Sequence, residues 1–263
     1  MDSFKINYGN KNTGRNQPAK KLLPLEEQIP KEFHEFLDVF SEEGKAARFP
    51  ESWPWDHKIE MMDTFVPKYF KTYNLTPQEQ IELDKFLKEN LEKGYVGPSQ
   101  SPMVSPFFFV DKKDGKLRPC RWGYNNVRIW DGDQWKAAFK TNRGLFEPTV
   151  MFFGLCNSPA TFQAMMDDIF SDMITECIII IYLDDIFLFA ADETTLTNNM
   201  KKVLARLQEN DLYLKPTKCE FNKTKVEYLG MVIEEGKISM DPGNSGEFGN
   251  GLSQQLWNKF EDS

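Results

Sequence analysis

Apolar residues recur at helical spacing in three stretches of the chain. The first opens at Thr76-Pro77-Gln78-Glu79, with a capping Thr, a Pro at the first helical position and a Glu at the third. Leu83, Phe86, Leu87 and Leu91 then form a stripe that Gly94 ends. The second opens at Ser158-Pro159 and carries Phe162, Met165, Met166, Ile169, Phe170 and Met173 on one core-facing stripe. The third is capped by Asp192 and turns Leu196, Met200, Val203, Leu204 and Leu207 inward. Elsewhere the period is shorter. Phe107–Val110 reads as a strand that Leu117-Arg118 answers across the Asp114-Gly115 turn. Residues 124–140 read as a strand pair around Asp131-Gly132-Asp133, with Trp135, Ala137 and Phe139 alternating against Lys136, Ala138 and Lys140. Ile178–Ala190 predicts two buried strands around a tight turn, and Lys225–Met240 a final hairpin turning at Glu235-Gly236. Residues 1–20 are polar and without period, which predicts a flexible tail. Residues 21–75 mix short apolar clusters (Phe33, Phe36, Leu37, Val39, Phe40) with prolines, predicting one short helix, then an extended lead-in packed on another surface. From Pro242 the chain turns Gly- and Asn-rich and loses pattern.

Composition agrees with a packed domain. The 263 residues are 40% hydrophobic and 14% aromatic, which excludes a disordered or collagen-like chain. The longest apolar run, Cys177–Ala190, is too short to span a bilayer and holds two carboxylates, and the polar start lacks a signal-peptide core. A soluble, intracellular protein, cytoplasmic or nuclear, is expected. Four dispersed cysteines and two histidines indicate neither a disulfide framework nor a zinc cluster, and the cysteines read as buried reduced thiols.

The net charge of −8 argues against a polyanionic partner until its distribution is considered. Residues 26–92 hold 8 Lys/Arg against 16 Asp/Glu, whereas 111–143 hold 9 against 4 and 201–225 hold 7 against 3. Two basic stretches thus follow an acidic lead. Each is a solvated face or part of a nucleic-acid contact.

The sharpest anomaly is Tyr182-Leu183-Asp184-Asp185, two adjacent carboxylates between two apolar strands. Such a pair is costly unless it is exposed, paired or bound to a cation. One reading is an ordinary exposed acidic turn. The other is a divalent-metal platform, because carboxylate oxygens suit Mg²⁺ and a hairpin holds them rigidly.

The Tyr-Leu-Asp-Asp hairpin resembles the palm motif of reverse transcriptases, in the version of gypsy-like long-terminal-repeat retrotransposons. Ser101-Pro-Met-Val-Ser-Pro-Phe-Phe-Phe-Val-Asp-Lys-Lys-Asp-Gly-Lys-Leu-Arg-Pro-Cys120 resembles that family's fingers motif. Phe146-Glu-Pro148 through Gly154-Leu-Cys-Asn-Ser-Pro-Ala-Thr-Phe-Gln163 resembles the palm segment before the hairpin. Leu214-Lys-Pro-Thr-Lys-Cys-Glu-Phe221 and Val226-Glu-Tyr-Leu-Gly230 resemble the last palm motif and the primer grip. The resemblance covers roughly 30–241 in family order. It implies an α+β polymerase fold of the right-hand type, fingers and a ferredoxin-like palm, incomplete and preceded by an extended linker. The divisions would be a tail (1–20), a linker like the protease–polymerase connection (21–75), partial fingers (76–120), a palm (121–241) and an unrelated tail (242–263).

By the same resemblance the parent activity is RNA-directed DNA synthesis within a larger polyprotein, with RNA/DNA template-primer and dNTP as partners and no membrane. Asp184 and Asp185 would hold Mg²⁺ at the primer terminus. Lys112 and Arg118 match positions that grip the triphosphate, and Tyr124 matches the aromatic residue beneath the sugar. Lys218 matches the lysine that protonates pyrophosphate. Tyr228, Leu229 and Gly230 would seat the primer.

The departures carry equal weight. Family members continue from Leu-Arg-Pro-Cys through Asp-Tyr-Arg to Leu-Asp-Val before Arg-Trp-Gly-Tyr, but here Cys120 joins Arg121-Trp122-Gly123-Tyr124 directly. The first catalytic aspartate and its strand are missing, and Pro119 stands at its place. The chain is therefore expected to be inactive alone, with weak or single-ion Mg²⁺ binding. The Ile178–Ala190 hairpin is expected to carry an open apolar edge. Phe152 stands where the family usually has Pro, and Gly243–Ser263 looks like an unrelated reading frame. The rival readings are a non-catalytic nucleic-acid-binding remnant and, more distantly, an unrelated Mg²⁺-dependent phosphohydrolase.

Overall fold

The computed structural model describes residues 2–7, 24–41, 49–111, 117–119, 124–152, 154–228, 231–234 and 237–240. In chain order the first elements are β1 (Asp2–Asn7), α1 (Leu25–Gln28), α2 (Pro77–Glu92), β2 (Val96–Pro98), β3 (Ser105–Pro106), β4 (Phe109–Asp111), β5 (Leu117–Pro119), β6 (Phe139–Thr141) and β7 (Gly144–Pro148). They are followed by α3 (Ser158–Ile169), α4 (Ser171–Thr175), β8 (Ile179–Tyr182), β9 (Asp185–Ala190), α5 (Glu193–Glu209), β10 (Glu220–Lys223), β11 (Lys225–Tyr228), β12 (Met231–Glu234) and β13 (Lys237–Met240). Tight 3-10 segments lie at Lys31–Phe40, Gln134–Ala137 and Pro216–Lys218. Helices and mixed sheets alternate without a dominant parallel sheet, an α+β arrangement.

The local signals for α2 act as expected. Thr76 Oγ1 accepts from the Glu79 amide at 3.3 Å while Glu79 Oε2 accepts from the Thr76 amide at 2.7 Å. Gly94 ends the turn at φ +71°. Leu83, Phe86 and Leu87 pack with Val96, Phe107 and Phe139 against the sheet β2-β7-β6-β3, forming a small separate core. Leu91, expected in that stripe, is exposed. Asn90 is buried instead, its Nδ2 donating to the Phe86 carbonyl at 2.7 Å.

The larger core lies over the Ile178–Ala190 hairpin. Met165, Met166, Ile169, Phe170 and Met173 from α3, α4 and the joint between them meet Ile179, Ile186 and Leu188, and α5 closes the layer with Leu196, Met200, Val203, Leu204 and Leu207. Asp192 Oδ1 caps α5 by accepting from the Thr195 amide at 2.9 Å. The helix expected from Ser158 onward is broken at Phe170, where φ −113° and ψ 19° leave the helical region. The lead-in enters this core too. Ile29, Phe33, Val39 and Phe40 are buried in it, so residues 29–40 pack on the chain's own larger core, and they do so through two short helical segments rather than one. Beyond them His57 bonds the chain to residues 128–130, and its Nδ1 shares a 2.8 Å hydrogen bond with Thr161 Oγ1. Met62, Phe65, Val66, Tyr69, Phe70 and Tyr73 remain exposed.

Four further expectations need correction. Residues 124–140 do not form a strand pair: the Asp131–Asp133 turn is followed by the 3-10 segment, because Lys136 Nζ binds both Asp133 Oδ1 at 2.5 Å and the Ile59 carbonyl at 2.8 Å, which curls the chain. Only β6, beyond that segment, is a strand. Residues 225–240 form a three-stranded meander, β11-β12-β13, because the chain reverses between Tyr228 and Met231 as well as between Glu234 and Lys237. Cys156 and Cys177 are exposed free thiols, since both lie in turns outside the apolar stripes. Residues 2–7, assigned to a tail, are a strand. Sheet order is β10-β1-β9-β8, antiparallel throughout, with Asp2 opposite Ala190 and Asn7 opposite Asp185, so the hairpin edge expected to be open is covered. Polar residues at alternate positions hid this strand, because Phe4 and Ile6 alone are too few to show a period.

Candidate active site

The two strands of the acidic hairpin are joined by the shortest connection available. Tyr182 pairs with Asp185, which leaves Leu183 and Asp184 as a two-residue loop. Such loops match the strand twist only with a left-handed residue, and here that residue is Leu183 at φ +50°. A non-glycine residue there costs about 1–2 kcal/mol. Gln163, on α3, holds the strained turn: its Oε1 accepts from the Leu183 amide at 2.7 Å, and its Nε2 donates to Asp167 at 2.8 Å and to the Ile181 carbonyl at 3.4 Å.

Burial distinguishes this loop from a solvated acidic turn. Asp184 is 5% exposed and Asp185 half-buried, with Asp184 Oδ2 and Asp185 Oδ1 shielded from solvent. Tyrosines surround the pair. Tyr124, itself at φ +63°, sets its ring 5.0 Å from that of Phe162. Burial, then the Asp184 carboxylate and Tyr182, push its phenol up to about 12. Tyr228 is fully buried with its ring 5.3 Å from Phe187 and its hydroxyl 3.5 Å from the Ile180 carbonyl, to which it donates. Its phenol is raised further by burial, with Asp185 and Tyr182 adding to the effect. Both phenols thus stay neutral beside the carboxylates, because a buried phenolate next to a carboxylate meets desolvation and like-charge repulsion together.

Of the residues singled out in the sequence, Asp184, Asp185, Tyr124 and Tyr228 are gathered here. Lys218 stands at the same end of the sheet: it precedes β10, whose Glu220 is opposite Lys5, while Asn7 is opposite Asp185. Two strand spacings, about 9–10 Å, separate β10 from β9. Arg118 lies in β5 opposite Val110, on a two-stranded ribbon that joins no other sheet among the described residues. Lys112, Leu229 and Gly230 lie outside the described residues. The Gln163 clamp was not assigned a role from the sequence, although a lone glutamine beside Phe162 on an apolar stripe was a visible signal. Among the described residues no third His, Cys, Asp or Glu joins the aspartate pair.

Residues 120–233 match the family model for reverse transcriptase (RNA-dependent DNA polymerase). This part of the chain is similar to reverse transcriptases. The retrovirus-related Pol polyprotein from transposon 297 of Drosophila melanogaster is 29% identical over 220 residues, 67% of this chain and 21% of that polyprotein. The transposon Tf2-3 polyprotein of Schizosaccharomyces pombe is 24% identical over 248 residues, 80% of this chain and 18% of that one. The chain therefore spans about a fifth of the length of these curated relatives, in keeping with the gypsy-like resemblance of its motifs. Among solved structures, a foamy viral protease-reverse transcriptase in complex with dsDNA is similar with a TM-score of 0.68 at 17% identity, covering 94% of this chain and 64% of that one. That likeness shows the α+β polymerase fold. Reverse transcriptases use divalent metal ions. No helix among the described residues is long and apolar enough to cross a membrane.

Proposed function

We propose that this chain is a reverse-transcriptase fingers-and-palm fragment that keeps the aspartate hairpin and the surface for an RNA/DNA template-primer, but does not polymerise on its own. The observation that carries the reading is the buried Asp184 next to the half-buried Asp185, in a sequence with no carboxylate between Leu117 and Tyr124. Two adjacent carboxylates are a hard-oxygen donor set that suits one Mg²⁺. A second ion needs a third bridging carboxylate, and the strand that would bring it is absent from the Cys120-Arg121 junction. A bound cation supplies charge stabilisation at phosphate oxygens, and with one of two ions lost several kcal/mol of that stabilisation is lost as well.

The remaining residues have consistent roles. Asp184 and Asp185 hold the cation, Tyr124 stands beneath the sugar of a dNTP, and Tyr228 with Leu229 and Gly230 seats the primer strand. Lys112 and Arg118 meet the triphosphate, and Lys218 faces the leaving pyrophosphate. The divisions 21–75, 76–120 and 121–241 act as linker, partial fingers and palm. The relatives are polyproteins, and the solved relatives include complexes with dsDNA and with an RNA/DNA hybrid, which supports a polyprotein origin and a duplex partner.

The test is primer extension on an oligoribonucleotide template with Mg²⁺. No product above that of an Asp185→Asn control is expected, together with salt-dependent binding of the hybrid. Clear product that Asp185→Asn abolishes overturns the inactivity, and absence of any hybrid binding overturns the retained surface.

A further inference from the structure

The hairpin that carries Asp184 and Asp185 does not close its own sheet. β9 is buried on both faces, with Ile186, Phe187 and Leu188 all fully covered, and among the described residues its outer edge is met by β1 alone. β1 in turn reaches β10, so residues 2–7 occupy an inner position between two strands that no other strand joins among the described residues. Without them, β8 and β9 are a bare two-stranded hairpin, and a gap of two strand spacings, about 9–10 Å, opens before β10. An apolar edge of that kind invites edge-to-edge association.

We propose that residues 2–7 are a built-in donor strand, which fills the sheet position left by the segment missing at Cys120/Arg121 and keeps the aspartate hairpin and β10 in one sheet. The identity of the missing segment rests on the reading given above. The docking itself rests on register. Asp2, Phe4 and Ile6 pair with Ala190, Leu188 and Ile186, the residues of β9 that belong to the larger core, whereas Ser3, Lys5 and Asn7 pair with Phe189, Phe187 and Asp185. In this register all six residues pair without a break, from Asp2 opposite Ala190 to Asn7 opposite Asp185. Donation within one chain is also geometrically easy. α1 touches the Pro216–Lys218 segment, which leads into β10 at the end of the sheet where Asn7 lies. The residues between Asn7 and Pro24 span roughly 55 Å at full extension, far more than that separation requires.

Hydrogen exchange read by mass spectrometry on the full chain tests the strand without any mutation. Residues 2–7 and 185–190 are both expected to exchange at least about a hundredfold more slowly than a free peptide. Exchange of residues 2–7 at the free-peptide rate overturns the proposal, whatever the polymerase assay shows. Deleting residues 2–7 should release protection in 185–190, and a synthetic peptide of residues 1–10 should restore it, whereas the same peptide with Phe4→Asp and Ile6→Asp should not. Unchanged protection in 185–190 after the deletion overturns the proposal. If the shortened chain fails to fold, the pair Ser3→Cys and Phe189→Cys decides. A disulfide within a monomer supports the donor strand, and one formed only between two copies refutes donation within the chain.

Discussion

Replacing Gln163 by Ala removes the clamp on the acidic turn while leaving both aspartates in place. The Leu183 amide, which Gln163 Oε1 accepts from at 2.7 Å, is then left in a partly buried turn, at a cost of about 1–3 kcal/mol. The bond to Asp167, four residues along the same helix, adds about 0.2–0.5 kcal/mol, and the better helix propensity of Ala returns a similar amount. The net loss is about 1–3 kcal/mol. For a chain of this size, with a urea dependence of roughly 3 kcal/mol per molar, the unfolding midpoint should fall by about 0.3–1 M. Urea unfolding followed by circular dichroism measures this. Asp167→Ala, which removes only the bond along the helix, should stay within about 0.5 kcal/mol of the parent. A midpoint for Gln163→Ala within 0.1 M of the parent, or an equal loss from Asp167→Ala, refutes the idea that Gln163 holds the strained turn.

Other consequences follow from burial and charge. The Tyr124 phenol is raised to about 12, so the folded chain retains a proton that the unfolded chain releases near 10. Stability is therefore fully present below pH 10 and falls as the pH rises toward 12. Tyr124→Phe should flatten that fall, as thermal melts between pH 9 and 12 would reveal, and a parallel slope in the two proteins would contradict it. Phe33 is 2% exposed and stacks 5.7 Å from Phe221, so Phe33→Ala should cost about 3–5 kcal/mol; a loss under 1 kcal/mol in urea would mean the lead-in is not part of the core. Ser158 is fully buried with its hydroxyl donating to the Phe152 carbonyl at 3.0 Å, and Ser158→Ala should lower stability by about 1–2 kcal/mol without altering the helical circular dichroism signal.

The helices were legible because each carries its own punctuation. Thr76 and Glu79 cap α2 through bonds between residues three apart, and Asp192 does the same for α5, so no distant partner was needed to find them. The aspartate hairpin was legible for a similar reason, as two apolar strands flanking one polar turn. What escaped were features fixed by distant partners. The curl at residues 134–137 depends on Lys136 reaching the Ile59 carbonyl, and the break at Phe170 has no Gly or Pro to announce it. The role of Gln163 depends on a turn twenty residues later. β1 depends on partners at the far end of the chain, and its six residues hold only two large apolar side chains. The burial of Asp184 is likewise a tertiary effect, since a turn of the same sequence on an exposed edge would leave both carboxylates in water.

The position of β1 has a consequence for the order in which the molecule assembles. Its partners in β9 lie about 180 residues further along the chain, a loop closure far longer than those that form α2 or the β11-β12-β13 meander. At translation rates of roughly 5–20 residues per second, about 10–40 s separate the synthesis of Asn7 from that of Ala190. Throughout that interval the segment has no sheet to join. One of the two inner strands of the sheet is thus the first to be made and waits longest for its partners, while the aspartate turn, once made, finds its neighbouring strand already synthesised.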